Sequence, residues 1–409
     1  MVDLAFQKQQ YIKNISGRNY ESIQGNLQLI LQSLPLPQDI KIITVGGTNG
    51  KGSTISVIEQ ALIDFGLSVV VNTSPHIKHY NERIRINGKV ISDETLVKGF
   101  AFIEKIESEN LVPLSFPDYS FLLACYAAMI NPQLDILILE VGLGGEKDPA
   151  NVLNADISVI TNIDLDHTEI LGNSREEILE KKIAIARRNK ALVVGDPNPP
   201  INLQSLVNHY ECKLYLFGED FNALDVKYET KSNLHINNIA TAQKVIFLLS
   251  RMMNKDIVLT RNSLEKIDLQ ARGQLLLRGN HFFLLDVAHN RQAIKNLYYQ
   301  ILDIRKTYNI KKVTAIFTAL SSKLNIDLLS SIVSIIDEWN VFSINEIDYR
   351  GATQFALKKY FQDLSSNIFF YNILDKEFKK IILDSQPREL IVVFGSFVLV
   401  GEFLKVYEE

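Results

Sequence analysis

The sequence predicts an α/β protein of two doubly wound domains, a P-loop-type ATPase domain followed by a smaller Rossmann-like domain. Short apolar runs alternate with amphipathic stretches in two separate series, and a glycine-rich turn sits between the first strand and first helix. A polar segment parts the two series, and a chain of 409 residues exceeds what one hydrophobic core ordinarily serves.

The first series opens with Ile40 to Val45, a buried strand, and continues with Thr54 to Phe65, whose apolar residues recur at helical spacing up to Gly66. Leu67 to Asn72, Leu134 to Glu140, Ile157 to Ile163, Ala191 to Gly195 and Lys213 to Gly218 read as further buried parallel strands. A second sheet is expected from Phe282 to Asp286, Val313 to Phe317, Val341 to Asn345, Ile368 to Tyr371 and Leu390 to Phe394. Ile257 to Arg278 is polar and mixed, so the boundary falls there, giving domains 1–271 and 272–409. Ligand clefts in such chains form at the carboxyl ends of strands and between domains.

Composition removes several function classes. A formal charge of −4 with acids and bases interspersed offers no basic field for a polyanion, which excludes nucleic acid as a partner. Cys125 and Cys212 lack CxxC or Cys/His spacing and read as reduced structural thiols, not a disulfide framework or a zinc site. The start, MVDLAFQKQQ, has neither the basic opening nor the apolar core of a signal peptide, and no later run reaches the roughly 18 uncharged apolar residues of a membrane span. The expectation is a soluble cytoplasmic protein with no membrane partner.

Lys41 to Ser53, KIITVGGTNGKGS, carries the chemistry that is most legible. Glycines let several backbone N–H groups converge on one anion, and the following helix start adds its positive dipole end. Lys51 supplies a mobile positive charge and Ser53 a hydroxyl for magnesium. The strict GxxxxGK[ST] pattern is not met, because Val45 stands at the first glycine and Gly52 separates Lys51 from Ser53. Strand before and helix after still define a nucleotide phosphate site.

Other candidates stand at strand ends. Glu140 closes LDILILE ahead of VGLGG, and is either a magnesium ligand or a cap. His167 in VITNIDLDHTE is a ligand or a hydrogen-bonded turn histidine, while Asp164 and Asp166 read as turn formers. Lys182 in REEILEKKIAIARR reads locally as a solvated helix lysine. Arg272 is either a charged fork for a phosphate or a surface arginine; Asp286 and His289 face a cleft or serve as a capping Asp and turn His. Together these features point to ATP chemistry without choosing kinase from ligase.

Six motifs decide that choice by resemblance. GGTNGKGS at Gly46 to Ser53, SPHIKHYNERIRINGKVI at Ser74 to Ile91, EVGLGGEKDPANV at Glu140 to Val152, LDHTEILG at Leu165 to Gly172, LDVAHN at Leu285 to Asn290 and VVFGSFVLVGEFL at Val392 to Leu404 follow in order. They resemble the folylpolyglutamate synthase and dihydrofolate synthase family of the Mur ligase superfamily. The resemblance implies an ATP-dependent ligase that joins L-glutamate to a folate carboxylate, with ATP and Mg2+ as cofactors and monomer as the default state. It makes residues 1–271 the ATP- and folate-binding domain and residues 272–409 the glutamate-ligase domain.

The resemblance also assigns roles. Gly47, Thr48, Asn49, Gly50, Lys51, Gly52 and Ser53 would hold the phosphates, with Ser53 and Glu140 on one magnesium and His167 on a second. Asn238 in HINNIATA would contact the nucleotide, as would Arg272, Asp286 and His289 from the smaller domain. Lys182 aligns with a lysine that is carbamylated in the family, which overturns its local reading.

Departures from the family pattern are confined to flanking positions. Lys181 stands beside Lys182 where an acid is usual, Gln270 and Ala271 precede Arg272 in place of proline and glycine, Arg291 replaces a proline, and Leu324 an aspartate. Pro117 and Asp118 occupy places that often hold phenylalanine and glutamate, with Phe116 as a substitute stacking ring. The reading therefore leans to folylpolyglutamate synthesis, with dihydrofolate synthesis from dihydropteroate the close alternative. Arg83 pairs with a substrate carboxylate or forms a structural salt bridge. A Mur-type ligase for another acceptor and a nucleotide-binding homologue without catalysis are the competing classes.

Overall fold

The computed structural model describes residues 3–18, 23–223, 234–278, 281–325, 327–362, 364, 367–372 and 375–408. Packing divides the chain into two units, Met1–Ile267 and Asp268–Glu409. The division falls inside the polar segment, a few residues before the expected 271/272 boundary.

An eight-stranded sheet organises the first unit. Its spatial order is β4 (Lys89–Val90), β3 (Ile84–Ile86), β2 (Val69–Asn72), β5 (Ile136–Glu140), β1 (Lys41–Gly46), β6 (Ile157–Ile160), β7 (Ala191–Val194) and β8 (Lys213–Leu216). From β2 across to β8 the strands run parallel, and every residue of β5 is buried, as a strand covered on both faces demands. Val45 lies opposite Glu140, and Gly46 opposite Ile160. The segments that leave β1, β5 and β6 therefore emerge side by side at one edge. Helix Lys51–Asp64, which follows β1, packs on helix Ile236–Met253.

The second unit carries a six-stranded sheet, ordered β13 (Ile368–Tyr371), β12 (Glu338–Phe342), β11 (Lys312–Phe317), β14 (Glu389–Phe394), β10 (His281–Leu285) and β9 (Gln274–Arg278). All neighbours are parallel except β9 and β10. Among the described residues no helix is long and apolar enough to cross a membrane.

Four strands differ from the sequence reading. β3 and β4 flank Asn87 and Gly88, whose φ values of 50° and 77° are those a two-residue Asn-Gly hairpin turn needs. Strands of three and two residues are too short to show alternation, so only the turn signalled them. β9 shows that the polar segment ends in an edge strand instead of remaining linker throughout. β12 begins at Glu338, ahead of the expected Val341. Asn340 Nδ2 donates to Glu338 Oε1 at 3.3 Å, and Lys312 Nζ donates to Glu338 Oε2 at 2.8 Å. These bonds satisfy the polar side chains of the strand while Trp339 and Val341 are buried.

Trp339 anchors the second core, with ring centroids 5.9 Å from Phe317, 5.1 Å from Phe361 and 6.1 Å from Phe394. Trp339→Ala should cost this unit about 3–5 kcal/mol. Urea unfolding followed by circular dichroism should show its transition at lower denaturant; an unchanged midpoint would contradict the packing described.

Candidate active site

β1 leads into a loop that only glycine accommodates at two points. Gly47 has φ 137° and Gly50 φ 83°. A Cβ on Gly47 would stand 2.0 Å from Thr161 Oγ1, and one on Gly50 would stand 2.5 Å from Asn238 Oδ1. Asn238 thus lies directly against the loop, from the first turn of helix Ile236–Met253.

The segment after β6 fastens the loop from the other side. Thr48 N donates to Asn162 O at 2.9 Å, Asn49 N to Asn162 Oδ1 at 2.8 Å, and Thr161 Oγ1 to Asn49 O at 2.6 Å. Thr48 Oγ1 donates to Asp164 O at 3.1 Å and accepts from Asp164 N at 3.0 Å. The amides of Thr48 and Asn49 are therefore engaged within the protein. The amides an anion would meet are those of the helix start at Lys51, Gly52 and Ser53, where first-turn N–H groups have no intrahelical partner and the dipole is positive. Lys51 Nζ folds back over the loop, 3.1 Å from Gly47 O and 3.4 Å from Thr48 O.

Lys182 corrects its local sequence reading. It is buried, and its Nζ donates to Gly47 O at 3.0 Å. Helical periodicity showed a mixed charge face but not what the end of helix Arg175–Lys182 meets. That end is covered by the turn after β5, where a Cβ on Gly145 would lie 2.8 Å from Lys181 O and 2.9 Å from Lys182 O. Lys181 points elsewhere, 3.3 Å from Glu146 Oε2.

Glu140 closes β5 as expected, buried, with Ser74 N donating to its Oε2 at 2.8 Å. Ser53 is also buried, in the first turn of its helix. Asp164 and Asp166 serve as turn formers: Asp164 Oδ1 accepts from Leu165 N at 2.8 Å and Asp166 Oδ1 from His167 N at 2.9 Å. His167 has φ 49°, uncommon for a residue with a Cβ, and its Nδ1 lies 3.8 Å from Glu169 Oε1. Among the described residues no group of three or more His, Cys, Asp and Glu is gathered to hold a metal.

In the second unit Arg272, Asp286 and His289 gather at one place. Arg272 Cζ lies 5.7 Å from the Phe397 ring centre and the His289 ring 6.0 Å from it. Burial pushes the Asp286 carboxyl up to about 6, against the opposing pull of the Ala288 and Gly273 amides and the Arg272 and His289 charges. Asp286 Oδ1 accepts from Ala288 N at 2.7 Å, so it also caps a turn.

Arg83 lies against His76 and Phe116. Its Nε donates to His76 Nδ1 at 2.8 Å, and its Cζ lies 4.8 Å over the Phe116 ring. Asp118 forms a capping box with Ser115 at the start of helix Phe116–Met129.

Sequence reasoning passed over Asp148, in EKDPAN. Its Oδ2 accepts from Gly142 N at 2.9 Å and Leu143 N at 3.2 Å, and its Oδ1 from Ala150 N at 3.0 Å. An aspartate before a proline is a turn signal that flagged it only as punctuation. Burial raises its carboxyl to about 6, although those amides and the Lys51 charge pull downward.

A strand, a glycine loop and a helix start beside a buried carboxylate describe a nucleotide-dependent enzyme of the Mur ligase class, and residues 45–259 match the family model of the Mur ligase middle domain. The dihydrofolate synthase/folylpolyglutamate synthase of Buchnera aphidicola subsp. Baizongia pistaciae is 32% identical, over 88% of this chain and 85% of its own length. The bifunctional folylpolyglutamate synthase/dihydrofolate synthase of Yersinia pestis, solved with AMPPNP and Mn ion, is similar at TM-score 0.83 and 28% identity, covering 99% of this chain and 98% of that one. E. coli FolC in complex with DHPP and ADP gives TM-score 0.84 at 26% identity, over 99% and 97% of the two chains. The chain belongs to the dihydrofolate synthase/folylpolyglutamate synthase family.

The raised Asp148 carboxyl makes stability depend on pH. Its folded value lies above the unfolded 3.8, so its contribution is full below about 4 and is lost as pH rises through about 6. The stability of the native protein relative to Asp148→Asn should therefore fall by up to about 3 kcal/mol between those limits. Urea midpoints measured across pH 4–7 check this, and a constant difference would contradict it.

Proposed function

We propose that this protein is an ATP-dependent ligase that joins the amine of L-glutamate to a folate carboxylate, as a cytoplasmic monomer. The observation that carries the reading is the Gly47–Ser53 loop with Lys51 and Lys182 converging on Gly47 O.

A carboxylate is a poor acyl donor because its leaving group would be oxide. An oxygen of the folate carboxylate attacks the γ-phosphorus of ATP, the bond to the β-bridging oxygen breaks, and ADP leaves an acyl phosphate. The neutral amine then attacks the acyl carbon, phosphate departs with the electron pair, and the amine gives up a proton as the amide forms. Lys51 is poised over the loop to offset charge on the transferring oxygens, and the Lys51–Ser53 helix start fixes the phosphates in line.

The buried hydroxyl of Ser53 and carboxylate of Glu140 are hard oxygen donors of the kind magnesium takes. Those two residues would hold the ion, which when bound supplies charge neutralisation at the phosphate oxygens. Lys182 as a free amine presents N–H donors, so its assignment with His167 to a second ion requires carbamylation, which would turn it into an oxygen ligand. Asn238 is assigned to the nucleotide, and by the same resemblance so are Arg272, Asp286 and His289.

Folylpolyglutamate and dihydrofolate synthesis share this chemistry and differ only in the acceptor. The exposed Pro117 in place of an aromatic ring favours the first. Purified protein should incorporate labelled L-glutamate into tetrahydrofolate in the presence of ATP and magnesium, with dihydropteroate assayed in parallel. Incorporation with neither would overturn the ligase reading. Lys51→Ala and Glu140→Ala should each lower turnover by about a hundredfold or more while leaving circular dichroism unchanged; rates near the native value in either would remove that residue from the site.

A further inference from the structure

Arg187 is held by hydrogen bonds from all three nitrogens of its guanidinium, and nothing in the proposed chemistry uses it. Its Nη1 lies 3.2, 3.0 and 3.1 Å from the carbonyl oxygens of Ala184, Ile185 and Ala186. These belong to the short turn that follows Lys182. Its Nη2 donates to Asn151 O at 2.6 Å, Asn151 Oδ1 at 2.8 Å and Leu153 O at 3.1 Å, and its Nε to Asn154 Oδ1 at 2.9 Å. One planar fork thus joins the chain just after Lys182 to the chain just after Asp148.

One joined segment follows Lys182, which reaches the phosphate loop, and the other holds the turn after β5. On one side Lys182 Nζ bonds Gly47 O. On the other, Asn151 Nδ2 donates to Glu146 O at 3.2 Å, Glu146 N donates to Lys181 O at 3.2 Å, and Asp148 clamps Gly142 and Leu143, which follow Glu140. The close approach of Gly145 to the Lys181 and Lys182 carbonyls leaves little room to re-seat the helix end. If the fork is lost, the contacts of Gly145 and Glu146 with the helix end are left to hold it, and the Lys182 amine shifts within the slack they allow.

We propose that Arg187 is a positioning residue of the ligase site, which sets where Lys182 meets Gly47 by fastening the segment after Lys182 to the turn after β5. This deepens the ligase reading and rests on the role given there to the Gly47–Ser53 loop. A lysine carries the charge but not the planar set of donors, so Arg187→Lys is not a conservative change here. An arginine that merely stabilised the fold would lower stability without coupling to Lys182.

The test is a double-mutant cycle read on magnesium–AMPPNP affinity by calorimetry, alongside glutamate incorporation. Arg187→Lys should weaken AMPPNP binding about tenfold in the native background and less than about twofold in Lys182→Ala, the non-additivity expected of residues acting through one another. Asn151→Ala, which removes one acceptor and the link to Glu146, should show the same non-additivity at smaller size and serves if Arg187→Lys does not fold. Equal losses in both backgrounds, or no loss from either variant, would overturn the proposal. Because AMPPNP binding needs no acceptor, non-additive affinity in a protein that incorporates no glutamate would refute the ligase reading and leave the Arg187 inference standing.

Discussion

The site depends on holding a short stretch of backbone, Gly47 to Gly50, in a conformation that residues with a Cβ resist. Positive φ at both glycines is only half of that constraint, since Thr161 and Asn238 fill the space where side chains would project. Thr48 and Asn49 spend their amides on Asn162, which fixes the loop before any ligand arrives. What remains for a phosphate is a helix start with its dipole and two lysines drawn to one carbonyl. Preorganisation of this kind means that binding does not have to order the loop, and the electrostatic field is in place when charge develops.

Around that loop, charged side chains act as staples on backbone. Asp148 gathers the amides of Gly142, Leu143 and Ala150, and Asp196 accepts from Ile163 N at 2.8 Å and from Arg175 Nη2 at 2.9 Å. Arg175 Nε in turn donates to Ile163 O at 2.9 Å, so both polar groups of Ile163 are tied down where the chain heads toward His167. Loops at the edge of a parallel sheet have no ladder partners of their own, and buried backbone groups there need side-chain partners. The carboxylates and guanidinium groups supply them.

The inner parallel strands were legible because they are buried on both faces and read as largely apolar runs, as in LDILILE and VITNI. The loop was legible because its glycines, lysine and serine are contiguous. Short antiparallel pieces at sheet edges escaped: β9 has polar ends and no fully buried residue, and β3 and β4 span too few residues to show a period. Lys182 shows the limit most clearly. Its own helix gives a polar pattern, and its burial follows from a turn some forty residues earlier in sequence, where Gly145 permits close approach. Family resemblance singled out Lys182 where local periodicity did not, yet neither drew attention to Asp148 or Arg187, whose partners are mostly backbone atoms that carry no side-chain signature.

A crystal structure with magnesium and AMPPNP tests the central claim most directly. The account predicts the β- and γ-phosphates against the Lys51–Ser53 helix start, Lys51 Nζ drawn from Gly47 O onto them, and the Gly47–Gly50 backbone unchanged. Phosphates bound elsewhere, or a loop that refolds to receive them, would contradict it.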